Sequence, residues 1–233
     1  MNVSPIFITA TGTGVGKTVV SSVILALARK RGHNPVIMKP IETDTDGECS
    51  KDISFCYTAA GMKNRAELKE TAPFLFKLGA SPHLAGREEG VVIDREKIID
   101  SYNNLKNKFS PVIVEGAGGL LVPITENYLY ADLIKDMAIE IIIVSNIELG
   151  TINHTLLTVE CAKKRGMGIK GIIFNNVPEI LTDIHRDNMR IIPLLSGVKV
   201  LGVIPHIHGL NTGKELPGDF GEVVSSISLE KLL

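Results

Sequence analysis

Thr9-Ala10-Thr11-Gly12-Thr13-Gly14-Val15-Gly16-Lys17-Thr18 is the stretch that decides the fold of this chain. It joins an apolar run, Ile6-Phe7-Ile8, to a segment from Lys17 to Arg31 in which Val19, Val20, Val23, Ile24 and Leu27 recur at helical spacing. Strand, glycine-rich turn and helix in that order form a phosphate cradle. Glycines let backbone N–H groups turn inward, the helix start adds positive potential, and a lysine reaches terminal phosphates. Lys17 holds that position, and the Thr18 hydroxyl is placed to reach Mg²⁺. The strict pattern G-x-x-x-x-G-K-[ST] would put glycine at position 11, where Thr11 stands, so the loop is a variant form.

Outward from this loop the same alternation repeats. Val36-Ile37-Met38, Val112-Ile113-Val114, Ile141 to Val144, Ile172-Ile173-Phe174 and Val200 to Ile204 are short apolar runs bounded by Gly, Pro or Asn. Uniformly apolar runs of this kind suit strands covered on both faces. Helical stretches are expected over Asp94 to Lys108, Ala131 to Ala138, Thr151 to Lys164 and Thr182 to Leu195. The pattern predicts an α/β fold with three layers, a mainly parallel sheet flanked by helices. No repeat or low-complexity linker divides the chain, so one domain is expected over residues 1–233. Ligands of such sheets bind beyond the carboxyl ends of the strands. Thr9 to Thr18, Lys39 to Thr43, Glu115 to Gly119 and Asn175-Asn176 all fall there.

Charge narrows the ligand class. Lys+Arg 25 against Asp+Glu 26 gives a net charge of -1, which argues against nucleic-acid or acidic-membrane partners. An anionic ligand must be held by local geometry. Cys49, Cys56 and Cys161 are too few and scattered for a disulfide framework and form no CxxC pair. Met1 to Pro5 carries no basic leader, and runs such as Ile141 to Val144 are far too short to span a membrane. A cytoplasmic location is expected.

The loop TATGTGVGKT resembles that of the dethiobiotin synthetases, usually Thr-Gly-Thr-x-Thr-x-Val-Gly-Lys-Thr, with Ala10 in place of a glycine. Further blocks match that family in order: Met38-Lys39-Pro40-Ile41-Glu42-Thr43, Ser81-Pro82-His83 with Glu89-Gly90, Val114-Glu115-Gly116-Ala117-Gly118-Gly119, Leu149 to His154, and Gly202-Val203-Ile204-Pro205. The resemblance implies a P-loop enzyme that uses ATP and Mg²⁺ to close a ureido ring from 7,8-diaminononanoate and CO₂. It also implies a homodimer with active sites at the interface.

Roles follow from the matched positions. The resemblance puts nucleotide against Gly14-Val15-Gly16-Lys17-Thr18-Val19, Asp52, Glu115-Gly116-Ala117-Gly118, Asn175-Asn176 and Pro205-His206-Ile207. It assigns Mg²⁺ to Thr18, Asp52 and Glu115, and catalysis to Lys17 and Lys39. Substrate contacts fall to Thr13, Lys39, Thr43, Gly150, Thr151 and Asn153, the last three completing the neighbour's site. Local physics reads several of these more plainly. A glutamate at a strand end can hold Mg²⁺ or cap a loop amide. Asp52 can be a helix-start residue favoured by the dipole, and Lys39 a solvated lysine. Asn188 stands where some relatives carry an aromatic residue, which puts substrate contacts from that helix in question. His206 and His208 lack a third ligand within sequence reach, so a loop edge is expected there rather than a zinc site.

Two rival classes share the loop. Partition and septum-positioning ATPases carry a second lysine early in it, where Gly12 stands here. Amide-forming cobyrinate ligases append a glutaminase domain, for which 233 residues leave no room.

Overall fold

The computed structural model of the chain describes residues 3–62, 69–210 and 220. Residues 1–2, 63–68, 211–219 and 221–233 lie outside the described residues, so the single domain expected over 1–233 is described only in part. The chain opens with β1 (Ile6–Ala10), α1 (Lys17–Lys30), β2 (Val36–Met38), β3 (Ile41–Glu42), α2 (Lys51–Ala59) and β4 (Phe74–Leu75). It continues through α3 (Pro82–Glu88), α4 (Arg95–Lys108), β5 (Val112–Glu115), β6 (Pro123–Thr125), β7 (Tyr128–Leu129) and α5 (Tyr130–Met137). The last third holds β8 (Glu140–Ser145), α6 (Thr151–Lys164), β9 (Ile169–Val177), α7 (Asp183–Ser196) and β10 (Val200–Pro205). Every expected strand and helix is present.

Six strands form one parallel sheet in the order β10-β9-β8-β1-β5-β2. Because side chains alternate along a strand, each apolar run feeds both faces. Phe7, Val112, Val114 and Ile143 join residues of α4 to α7 on one side. Ile6, Ile8, Ile113 and Ile142 join α1 and α2 on the other. Three layers result, as the pattern predicts. The register sets Ile8 opposite both Glu115 and Ile142, so β1, β5 and β8 end at one edge. The phosphate loop, Lys39 and Glu115 are therefore brought together by strand order.

Local signals fix the helix starts that matter here. Gly16 enters α1 with a left-handed φ of 96°, a conformation glycine adopts without strain. Ser50 caps α2 by accepting from Ile53 N–H at 3.0 Å. Ala10 is the last residue of β1, is buried, and its backbone is not among the positive-φ positions. The Ala10 methyl thus packs in the core at a strand position that makes no demand for glycine.

Candidate active site

At the carboxyl edge of β1, β2 and β5, a cavity of about 510 Å³ opens over the phosphate loop. Lys17 is buried at its floor, its Nζ donating to the carbonyls of Gly118 at 3.0 Å and Gly12 at 3.3 Å. Burial and then the nearby charge of Lys39 lower its pKa to about 8. Gly14 and Gly16 both have positive φ, which lets the loop backbone curl around the cavity.

Above the lysine lies a compact charged cluster. Lys39 follows β2 and is buried; its Nζ sits 2.5 Å from Asp52 Oδ2 and 2.7 Å from Glu115 Oε1. Burial alone would depress its pKa, but the carboxylates of Glu115 and Asp52 outweigh that and hold it well above the ordinary value. Burial works against the Asp52 carboxylate too, and the Lys39 ammonium overcomes it, leaving the group more acidic than usual. Thr18 Oγ1 donates to Glu115 Oε1 at 2.9 Å. Glu115 Oε2 is fully enclosed and has no hydrogen-bond partner among the described residues. An orphaned buried carboxylate oxygen beside a second carboxylate and a hydroxyl is the donor set a hard divalent cation prefers. Thr18, Asp52 and Glu115 fit Mg²⁺.

The far end of the cavity is neutral. Asn175, near the end of β9, donates from Nδ2 to Val15 O at 3.0 Å and so braces the phosphate loop from behind. Its neighbour Asn176 adopts a left-handed φ of 61° and pairs through Oδ1 with His206 Nδ1 at 2.6 Å. The His206 ring packs edge-on against His208, which makes these histidines part of the rim.

The structure brings most of the expected residues to this one cavity. Thr13, Lys39, Thr43 and Asp52 line it, together with Gly14 to Val19, Glu115, Ala117, Gly118, both asparagines and Pro205 to Ile207. Gly116 stands just behind, its carbonyl 3.4 Å from Lys39 Nζ and its Cα closed in by the Phe7 ring. Gly150, Thr151 and Asn153 do not line it. Gly150 and Asn153 are exposed at the start of α6, and Thr151 Oγ1 is tied to Asn146 O at 2.8 Å and to Ser145 Oγ. Asn188 is buried and donates to Ile147 O at 2.7 Å, fastening α7 to the turn before α6. Its amide is spent on holding these two elements together and reaches no cavity-lining residue.

Two features were not singled out from the sequence. Glu42 lines the cavity, its carboxyl pushed up by burial and by the charge of Asp52. A second hollow of about 490 Å³ lies on the other side of the loop, lined by Leu121, Val122, His154 and Leu157. Thr13 and Gly118 line both hollows and form the partition between them.

Comparison with known proteins bears on what this site does. A family model described as an AAA domain matches residues 4–214. An ATP-dependent dethiobiotin synthetase of Bacillus cereus (strain G9842) is 35% identical over 231 residues, covering 99% of this chain and 95% of its own. The synthetase of Bacillus subtilis (strain 168) is 36% identical over 208 residues, covering 86% and 87%. Among solved structures, the MinC:MinD cell division complex of Aquifex aeolicus aligns with a TM-score of 0.58 at 18% identity, covering 89% of this chain and 83% of that one. A ParA family ATPase from Chlorobium tepidum TLS gives 0.57 at 15%, covering 97% and 90%. These two likenesses show a shared fold and no more. Identity across nearly the full length of both chains decides the matter: this chain belongs to the ATP-dependent dethiobiotin synthetase family.

Proposed function

We propose that this chain closes the ureido ring of dethiobiotin from 7,8-diaminononanoate, CO₂ and ATP. The observation that carries the reading is the convergence of Lys17, Lys39, Thr18, Asp52 and Glu115 on one cavity at the end of three neighbouring strands.

The chemistry asks for charge neutralisation and alignment more than for acid–base groups. One amine of the diamine takes up CO₂ as a carbamate. The carbamate oxygen attacks the γ-phosphorus, the bond to the β-bridging oxygen breaks, and ADP leaves. The second amine then attacks the carbonyl carbon of the mixed anhydride, the C–O bond breaks, and phosphate departs as the ring closes. Loop amides around Gly14 and Gly16 hold the triphosphate, and Lys17 offsets charge on its terminal oxygens. Lys39 offsets charge where carbamate and phosphate meet, and Thr43 orients the diamine. Thr18, Asp52 and Glu115 would hold Mg²⁺, which supplies charge neutralisation on the phosphates. Asn175, Asn176 and the segment Pro205 to Ile207 form the seat for the base.

A homodimer completes this reading. The start of α6, Gly150 to Asn153, has no side-chain cap, and the positive end of that helix suits a carboxylate; these residues do not line the cavity of their own chain. Exposed Leu121, Leu149 and Leu157 supply an apolar surface nearby. A single domain acting in the cytoplasm belongs to this reading. No described helix is long and apolar enough to cross a membrane.

The test is incubation with the diamine, labelled bicarbonate, ATP and Mg²⁺. Label should enter an acid-stable ureido product with one ADP formed per ring. ATP consumption without labelled product would overturn the assignment.

A further inference from the structure

We propose that Glu42 is a positioning residue: it clamps the first turn of α2 and thereby sets Asp52 in place for the cation. The proposal rests on the reading of Asp52 as a Mg²⁺ ligand. Glu42 ends β3, a strand that belongs to the small sheet with β4 and not to the main one. Its backbone is fixed there, its carbonyl accepting from Phe76 N–H at 2.9 Å.

All of its side-chain capacity points at one helix end. Oε1 accepts from Lys51 N–H at 3.0 Å and from Asp52 N–H at 3.2 Å. Oε2 accepts from the Ser50 hydroxyl. Ser50 Oγ in turn accepts from Ile53 N–H. The first amides of a helix have no partners within it. Glu42 and Ser50 between them satisfy three in succession, and both side chains are buried. A carboxylate with three donors already in place is committed to this cap, although it borders the cavity.

The consequence falls on the residue between the clamped amides. Asp52 reaches Lys39 at 2.5 Å from the first turn of α2, and its reach depends on where that turn is pinned. Without Glu42 the amides of Lys51 and Asp52 lose their acceptor, and the turn frays from the end that carries the ligand. A charge opposite the helix dipole at this point also favours the helix.

The experiment has an arm that needs neither substrate nor metal. In the unliganded protein, Glu42→Ala should speed hydrogen exchange of the first-turn amides of α2 by about tenfold, with α4 unchanged, consistent with loss of a cap. In turnover, the KM for Mg²⁺ should rise by about tenfold while kcat changes by less than about threefold. Glu42→Gln, which keeps an oxygen for the two amides, should restore most of both. In an Asp52→Ala background, Glu42→Ala should add no further rise in the KM for Mg²⁺. Unchanged exchange in Glu42→Ala would overturn the clamp. An additive effect in the Asp52→Ala background would overturn the route through Asp52. If Glu42→Ala and Glu42→Gln both lower kcat by much more than about tenfold, the carboxylate acts directly on ligand and the positioning role is wrong. If turnover shows no dependence on Mg²⁺ while exchange responds as expected, the clamp stands and the cation assignment of Asp52 falls.

Discussion

The ammonium of Lys39 lies 2.7 Å from Glu115 Oε1, and both side chains are almost wholly withdrawn from water. A third member, Asp52, closes on the same ammonium from α2. In the unliganded protein a lysine therefore neutralises the carboxylates that suit a divalent cation. Lys39→Met removes that compensation. Stripping one partner from a buried ion pair costs about 3 kcal/mol or more, which for a domain of this size lowers Tm by roughly 6 °C or more. Adding Mg²⁺ should recover part of the loss in Lys39→Met and little in the parent. Equal melting of the two proteins in metal-free buffer would show that the triad carries no such strain.

Lys17 yields a pH-dependent prediction. Its folded-state pKa of about 8 lies below the ordinary 10.5. The charged form therefore opposes folding, and that opposition is released as pH rises from 8 toward 10.5. Bound triphosphate reverses the bias by favouring the ammonium. At pH 8.5, calorimetry in two buffers of different ionisation enthalpy should register uptake of about half a proton or more on ATP binding. Lys17→Met should abolish that uptake, and Lys17→Ala should cut turnover by on the order of 10² while circular dichroism stays unchanged. Near-parental turnover in Lys17→Ala removes the residue from catalysis.

Gly16 leaves no room for a side chain unless Asn175 moves. A Cβ there would stand 2.0 Å from Asn175 Nδ2, on a backbone with φ of 96°. Gly16→Ala combines left-handed strain of about 1–2 kcal/mol with displacement of the Asn175 amide. The Kd for ATP should rise by at least about tenfold. Ala10→Gly, at a strand position with no such constraint, should leave the Kd within about twofold. Comparable losses in both variants would contradict the distinction between these neighbouring positions.

The proposed dimer can be weighed directly. Light scattering should return twice the chain mass of 25.2 kDa. Leu157→Glu, on a residue 60% exposed in the single chain, should shift the mass to one chain. Ring closure should then fall at least about tenfold with ATP affinity held within about threefold. A parent protein that elutes as one chain and turns over normally would dispose of the shared site.

Residues at the ends of uniformly apolar runs were legible in the sequence because such runs and the glycines that punctuate them are local signals. Thr9 to Thr18, Lys39 and Glu115 are of that kind. Asn175 and Asn176 look alike as letters, yet one is turned inward onto Val15 and the other outward to His206. Strand alternation turns the two to opposite faces, but which one lands inside is set by the register of β9 against β8 and β10, which the letters do not show. Glu42 was hidden for a different reason. Its partners arrive from a helix eight to ten positions later, and its strand is two residues long, too short to show a period. The hairpin of β6 and β7 escaped notice on the same ground.

Asn175 stands at the seat proposed for the base while its amide supports the carbonyl of Val15. Retuning the pocket for another nucleobase by changing this side chain would also pull a strut from under the turn that cradles phosphate. A lineage drifting toward a different nucleotide must therefore rebuild two distant functions in one step, or leave both alone.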